Sequence, residues 1–244
     1  MDGAPTKILL ATDGSEDAAQ ATQAATDLAS KSGSELHVVH VWHDVPGPYR
    51  HGYVKRELRH QGQEILDEQV RKIEEAGGAV AQAHLRGGRT TDEVIGLGEE
   101  LDVDLIVVGS RGLRGMRRIL IGSHSDDIVH RSQRAVLVVR CGENIWPPSR
   151  VVAGDDFSED ARRAAWLAAS LGKLFGARMM LVHVEPRQSQ ESGEAAGKAG
   201  GELEDRAGEL EAILEERPQT RVVAGDPAGA LVDAAQEGEG PTLV

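Results

Sequence analysis

The chain has 244 residues, a net charge of −13 and one cysteine; 40% of its residues are hydrophobic but only 3% are aromatic. The length suits more than one domain, and a core built mainly from Val, Leu, Ile and Ala is typical of buried parallel strands. The acidic balance argues against a nucleic-acid groove, the single cysteine agrees with a reducing compartment, and no apolar run could span a bilayer. We therefore expect a cytoplasmic protein with neither nucleic-acid nor membrane partners.

Short apolar strands alternate with helices over the first 141 residues. Strands are predicted at residues 7–11, 36–41, about 80–85, 104–109 and 135–140. Helices are predicted at residues 15–31, about 54–76, about 91–101 and about 123–131, with a loop at residues 42–53. Ser15 serves as the N-cap of the first helix and Gly33 as its stop. This alternation predicts an open, doubly wound, five-stranded parallel sheet in an α/β fold.

The chain also contains an internal repeat. Residues 7–41 align without a gap to residues 150–184, with 12 identities in 35 positions. Asp13 pairs with Asp156 and His40 with His183 in this alignment. Residues 88–107 then pair more weakly with residues 225–244. We expect a complete domain at residues 1–141, a linker at 142–149, and a second copy at 150–244.

The second copy is predicted to be truncated. Its strands are expected at residues 151–154, 179–184, 221–224 and 242–244, with a helix at about 202–216. Residues 193–201, rich in Gly, Ala and Glu, are interpreted as a poorly ordered lead-in to that helix. The counterparts of residues 108–140 are missing, so we expect this copy to lack a phosphate loop and a last strand.

Residues 107–129 carry the chemistry. A strand leads into Gly109 and Gly112, and nine residues later Gly122 and Ser123 open a helix. Glycines let backbone N–H groups approach an anion closely, and a new helix presents unpaired N–H groups and the positive end of its dipole. Ser125 and Arg111 add further donors. Asp13, at the end of the first strand, belongs to the same crevice of a parallel sheet.

The segments ATDGSEDA, HVVHVW, DLIVVGSRG, GSHSDDIV and AVLVVR, in this order, resemble the universal stress protein family. Its ATP-binding pattern, G-x2-G-x9-G-[ST], is matched by Gly109, Gly112, Gly122 and Ser123. The resemblance implies strand order 3-2-1-4-5, as in adenine nucleotide hydrolase-like folds, and an adenine contact near Val41. The candidate nucleotide-binding residues are Ala11, Thr12, Asp13, Val41, Val108, Gly109, Arg111, Gly112, Gly122, Ser123, His124 and Ser125.

His124 departs from the family, which usually has a small or apolar residue there. His37, His40 and His43 could suggest a metal site, but strand residues three apart face opposite sides, which argues against chelation. Because His40 recurs as His183, we expect a hydrogen-bonded structural role for it.

The resemblance therefore implies an ATP-binding stress-response regulator, with or without Mg²⁺, that binds its nucleotide more than it turns it over. It also implies a homodimer or an intrachain pseudo-dimer. An adenine nucleotide hydrolase, an adenylyl-transferring enzyme and a nucleotide-free dimerisation module remain alternatives.

Overall fold

The computed structural model describes residues 3–43, 52–110, 122–140, 142, 145–186 and 193–244. The chain divides into two compact units. Residues 5–143 form what we term the first unit. Residues 144–244, together with residues 1–4, form the second unit.

The first unit is an α/β fold with one five-stranded sheet. Its strands are β1 (Lys7–Ala11), β2 (Glu35–Trp42), β3 (Gln82–Gly87), β4 (Leu105–Gly109) and β5 (Ala135–Val139). Its helices are α1 (Glu16–Ser32), α2 (Gly52–Glu75), α3 (Thr90–Glu100) and α4 (Ser123–Arg131). All strand pairs are parallel, and the order is β3-β2-β1-β4-β5. The predicted fold class and strand order are confirmed.

Both faces of this sheet are covered, which is why its central strands are apolar at consecutive positions. Ile8, Leu9 and Leu10 of β1 are all fully buried. Leu9 belongs to a cluster with Val94 of α3 and Ile128 of α4. The sheet therefore fixes the positions of α4 and of the carboxyl ends of its strands.

The second unit repeats this architecture with four strands among its described residues. They are β6 (Arg150–Gly154), β7 (Arg178–Glu185), β8 (Gln219–Ala224) and β9 (Thr242–Leu243), in the order β8-β7-β6-β9, and every pair is parallel. The helices are α5 (Glu159–Phe175), α6 (Gly193–Leu214) and α7 (Pro227–Gln236). The four predicted strands are thus all present.

The two units correspond at two different residue offsets. Up to β2 and β7 the offset is 143, and Ser15 and Ser158 cap equivalent helices in the same way. From α2 and α6 onward the offset is 137. Leu66 and Leu203, for example, are both fully buried at equivalent helix positions. This correspondence allows residues of the two units to be compared one by one.

The largest errors in the predicted elements concern β3 and the start of α6. The edge strand β3 begins two residues later than expected, at Gln82. Its residues are exposed or half-buried, so no apolar run marks its start. Residues 193–201 are helical from Gly193. Helix α6 buries Ala199 and packs Leu203 in the core cluster of the second unit, and packing of this kind outweighs weak intrinsic helix preference.

Candidate functional site

The carboxyl ends of β1, β2 and β4 meet at one edge of the first sheet. Ala11 lies in register with Val39 on one side and with Val108 on the other. The chain leaves β1 and β4 towards helices on opposite faces, so a crevice opens where the strand order reverses. The candidate residues of β1, β4 and α4 that the structure describes converge on this edge.

The turn that follows β1 is held by its own side chains. Thr12 N donates to Val39 O (3.0 Å), and Gly14 N donates to Thr12 Oγ1 (3.2 Å). Asp13 Oδ1 accepts from the backbone N (3.0 Å) and the hydroxyl (2.6 Å) of Ser15. One carboxylate oxygen of Asp13 therefore stabilises the turn, which fixes the side chain at the edge of the crevice.

The loop that follows β4 is closed at its base. Ser110 N donates to Val139 O (2.8 Å), and Gly122 N donates to Ser110 O (2.6 Å). The Ser125 hydroxyl donates to Gly109 O (2.6 Å). These bonds fix the start of α4 against the end of β4. Arg111 and Gly112 lie outside the described residues.

Within the residues that the structure describes, helix α4 begins without a side-chain cap. Its N-cap residue, Gly122, has φ −63° and ψ 151° and offers no acceptor to the first-turn N–H groups. By contrast, Ser15, Ser158 and Asp226 each accept a bond from their own helix. The N–H groups of a first turn have no intrahelical partner, so those of α4 are available to an external anion.

The candidate side chains differ in their access to the crevice. Val108 is 4% exposed and packs in the core, while Ala11 and Val41 are half-buried against the same cluster. Thr12 and Ser125 are buried, whereas Ser123 and His124 are exposed. Val108 can thus face a ligand only through its backbone.

His40 has a structural hydrogen bond, as predicted. Its Nδ1 lies 2.9 Å from Thr12 O, and the Nδ1 atom of His183 lies 2.7 Å from Asp155 O. A carbonyl oxygen only accepts, so each imidazole donates from Nδ1. Burial lowers the pKa of His40, although the bond to Thr12 and the nearby Asp13 charge raise it. The ring is therefore held neutral.

A second histidine pair joins β2 to the edge strand β3. His37 Nδ1 lies 3.2 Å from His84 Nε2, which makes the two rings share one N–H···N bond. Within the described residues no three His, Cys, Asp or Glu side chains are grouped to hold a metal ion. No described helix is long and apolar enough to cross a membrane.

His43 is a site residue that the sequence patterns did not identify. It follows β2, and its ring centroid lies 6.3 Å from that of His124 on α4, with the planes inclined by 36°. Residues 43 and 124 are too far apart in sequence for a local motif to link them. Only the strand order brings the two imidazoles together at the crevice.

Comparisons with known proteins agree with the repeat. The model of the universal stress protein family matches residues 5–140 and again residues 148–244. The universal stress protein YxiE of Bacillus subtilis is 32% identical over 147 residues, covering 55% of this chain and 98% of the relative. Universal stress protein MJ0531 of Methanocaldococcus jannaschii is 29% identical over 139 residues, covering 55% and 81%.

A solved structure shows the same fold. The crystal structure of a universal stress protein from Archaeoglobus fulgidus has a TM-score of 0.73 and 24% identity to this chain. The match covers 95% of this chain and 83% of the other.

Proposed function

The chain belongs to the universal stress protein family, and on that premise we propose that its first unit binds an adenine nucleotide at the carboxyl end of its sheet. The observation that carries the proposal is the uncapped first turn of α4, held against β4 by the Gly122–Ser110 and Ser125–Gly109 bonds. Backbone N–H groups fixed in this way suit phosphate oxygens even in an acidic protein.

The roles proposed for the remaining residues are those that the family pattern implies. We assign the phosphates to Gly109, Gly122, Ser123, His124 and Ser125, together with Gly112 and Arg111. The nucleoside lies towards Ala11, Thr12, Asp13, Val41 and the backbone of Val108. Asp13 keeps its carboxylate at the crevice through Ser15, where it can accept from a ribose hydroxyl or help to hold Mg²⁺ on the phosphates. ATP is the proposed ligand.

The proposed role is regulatory binding in the cytoplasm rather than efficient catalysis. The imidazole of His40 is held by Thr12 inside the fold, so it is not placed to act as a general base. A hydrolase on this fold is the alternative. Steady-state turnover of ATP in the ordinary enzyme range, about 1–1,000 per second, would favour that alternative.

The glycine pattern lies in the first unit, so we place the proposed nucleotide site there. The repeated fold further suggests that the units or two chains associate, as a pseudo-dimer or a homodimer. Light scattering with and without nucleotide tests the homodimer.

Identification of the ligand tests the proposal. The purified chain is denatured, and any nucleotide released is separated and identified by mass. The emptied chain is then titrated calorimetrically with ATP, ADP and cyclic AMP. We expect an adenine nucleotide to be released and to bind again in the titration. Absence of binding to all three nucleotides by a correctly folded chain would contradict the proposal.

A further inference from the structure

His43 and His124 face each other across the end of β1. His43 follows β2 and His124 is the second residue of α4, while β1 lies between β2 and β4. The ring centroids of the two histidines are 6.3 Å apart.

Both imidazoles are open to a ligand. The two residues are exposed. Among the residues that the structure describes, neither ring makes a hydrogen bond or an ion pair, in contrast to His37, His40 and His130. Within the described part of the chain, the donor and acceptor nitrogens of both rings therefore have no hydrogen-bond partner.

The spacing suits one acceptor oxygen between the rings. Two N–H···O bonds of about 2.8 Å each, bent at a shared oxygen, bridge imidazoles at this separation. The first-turn N–H groups of α4 adjoin His124, so an oxygen in this position belongs to an anion that also reaches the helix. A phosphoryl group has several acceptor oxygens and can meet both requirements at once.

Building on the proposed function, we propose that His43 and His124 clamp the polyphosphate of the bound nucleotide from opposite sides of β1. His43 is thereby a further ligand-binding residue. The clamp selects nucleoside di- and triphosphates over nucleosides and monophosphates, because only a polyphosphate extends from the nucleoside side to both rings. The two N–H donors also offset the negative charge of Asp13, which would otherwise repel the phosphate groups.

The test compares ATP and AMP binding by calorimetry in buffer that contains excess Mg²⁺ and has been freed of transition metals beforehand, so that none of them bridges the rings. Replacements His43→Ala and His124→Ala are each expected to weaken ATP binding about tenfold, the scale of one hydrogen bond to a charged group. AMP affinity should change by less than about twofold. Tripolyphosphate should compete with ATP on the wild type and several-fold less well on His43→Ala. His130→Ala, an exposed change on the same helix, is the matched control and should leave both affinities unaltered.

The outcomes separate this inference from the proposed function. A wild-type chain that binds no nucleotide would overturn both. If the wild type binds ATP and His43→Ala binds it equally well, the clamp is wrong and the nucleotide site stands. Equal losses of ATP and AMP affinity would also overturn the clamp, because they would mean that His43 contacts the nucleoside or that it stabilises the fold. Thermal melts of each variant distinguish these two explanations.

Discussion

Arg206 Nε lies 3.0 Å from Asp155 Oδ2 inside the second unit, with the Asp155 side chain fully buried and that of Arg206 11% exposed. At the equivalent positions the first unit has Thr12 and Gln69, both buried and both neutral. The two units therefore share a fold, although the second has a buried ion pair where the first has two neutral side chains.

Removing one partner of this ion pair should be costly, whereas replacing both should not. Arg206→Gln leaves a buried carboxylate uncompensated, and we expect it to destabilise the second unit by about 3–5 kcal/mol. Adding Asp155→Thr copies the first unit and should recover most of that loss. Asp155 Oδ1 accepts from Phe157 N, just as Thr12 Oγ1 accepts from Gly14 N, so a threonine retains this bond.

Urea unfolding followed by Trp146 and Trp166, in a Trp42→Phe background, reports on the second unit. A double variant as unstable as Arg206→Gln alone would show that threonine and glutamine cannot replace the ion pair in the second unit.

A second prediction concerns Gly14, which lies in the turn after β1. This residue has φ +78°, and an added Cβ would lie 2.7 Å from Ile65 Cγ2. Gly33 has a similar φ of +74° but open space around it. Gly33→Ala should cost about 1 kcal/mol through its backbone alone, while Gly14→Ala should cost at least about 2 kcal/mol.

The Ile65→Ala change should return part of the loss in Gly14→Ala and none of that in Gly33→Ala. Urea melts monitored by circular dichroism compare the wild type, Ile65→Ala, the two glycine variants and the two double variants. The second unit supports this account, because Phe157 occupies the position of Gly14 with φ 66° and Glu202 stands in place of Ile65. Equal losses for the two glycine variants would mean that Ile65 exerts no steric restraint.

The two perturbed histidines of the first unit predict how its stability depends on pH. Burial lowers the pKa of His40 below its ordinary 6.5, and burial together with the charges of His37 and Arg86 lowers that of His84. Each ring stays neutral in the folded chain while the unfolded chain takes up a proton below about 6.5. The stabilisation that comes from keeping these two rings neutral is therefore complete above that pH. It is lost as the pH falls towards the lowered pKa values of the folded chain.

Stability measured between pH 8 and pH 5 should decline on the acid side, and the decline should be shallower in His40→Asn, whose side-chain amide can still donate to Thr12 O. An identical decline in this variant would exclude His40 as a cause.

Much of the first unit could be predicted because its signals are local. Ser15 and Gly33 marked the ends of α1, and consecutive apolar residues marked β1 and β4. The half-exposed strand β3 gave no such signal and was displaced by two residues. Trp42 was assigned to a loop, yet it ends β2 in register with Gly87, where a Cβ would meet the indole ring.

The same distinction between local and tertiary signals applies to the candidate site. Gly109, Gly122 and Ser123 share one continuous motif, so their spacing was visible in the sequence. His43 meets His124 only through the strand order, and the Asp155–Arg206 pair joins a strand end to a distant helix. Such side-chain partners depend on tertiary packing, which no local pattern encodes.

The most direct test of the nucleotide site is the ATP affinity of Gly122→Asp. Gly122 has the extended conformation of the capping residues Ser15 and Ser158, so an aspartate there can accept from the first turn of α4. The carboxylate would stabilise the helix by a few tenths of a kcal/mol and occupy the position assigned to phosphate.

We therefore predict a melting temperature equal to or above that of the wild type and a loss of ATP affinity of at least about thirtyfold. Ser158→Asp, which places the same charge at the cap of α5 in the second unit, should bind ATP normally. Binding by Gly122→Asp within about threefold of the wild type, in a stably folded chain, would contradict the assignment of the phosphates to α4.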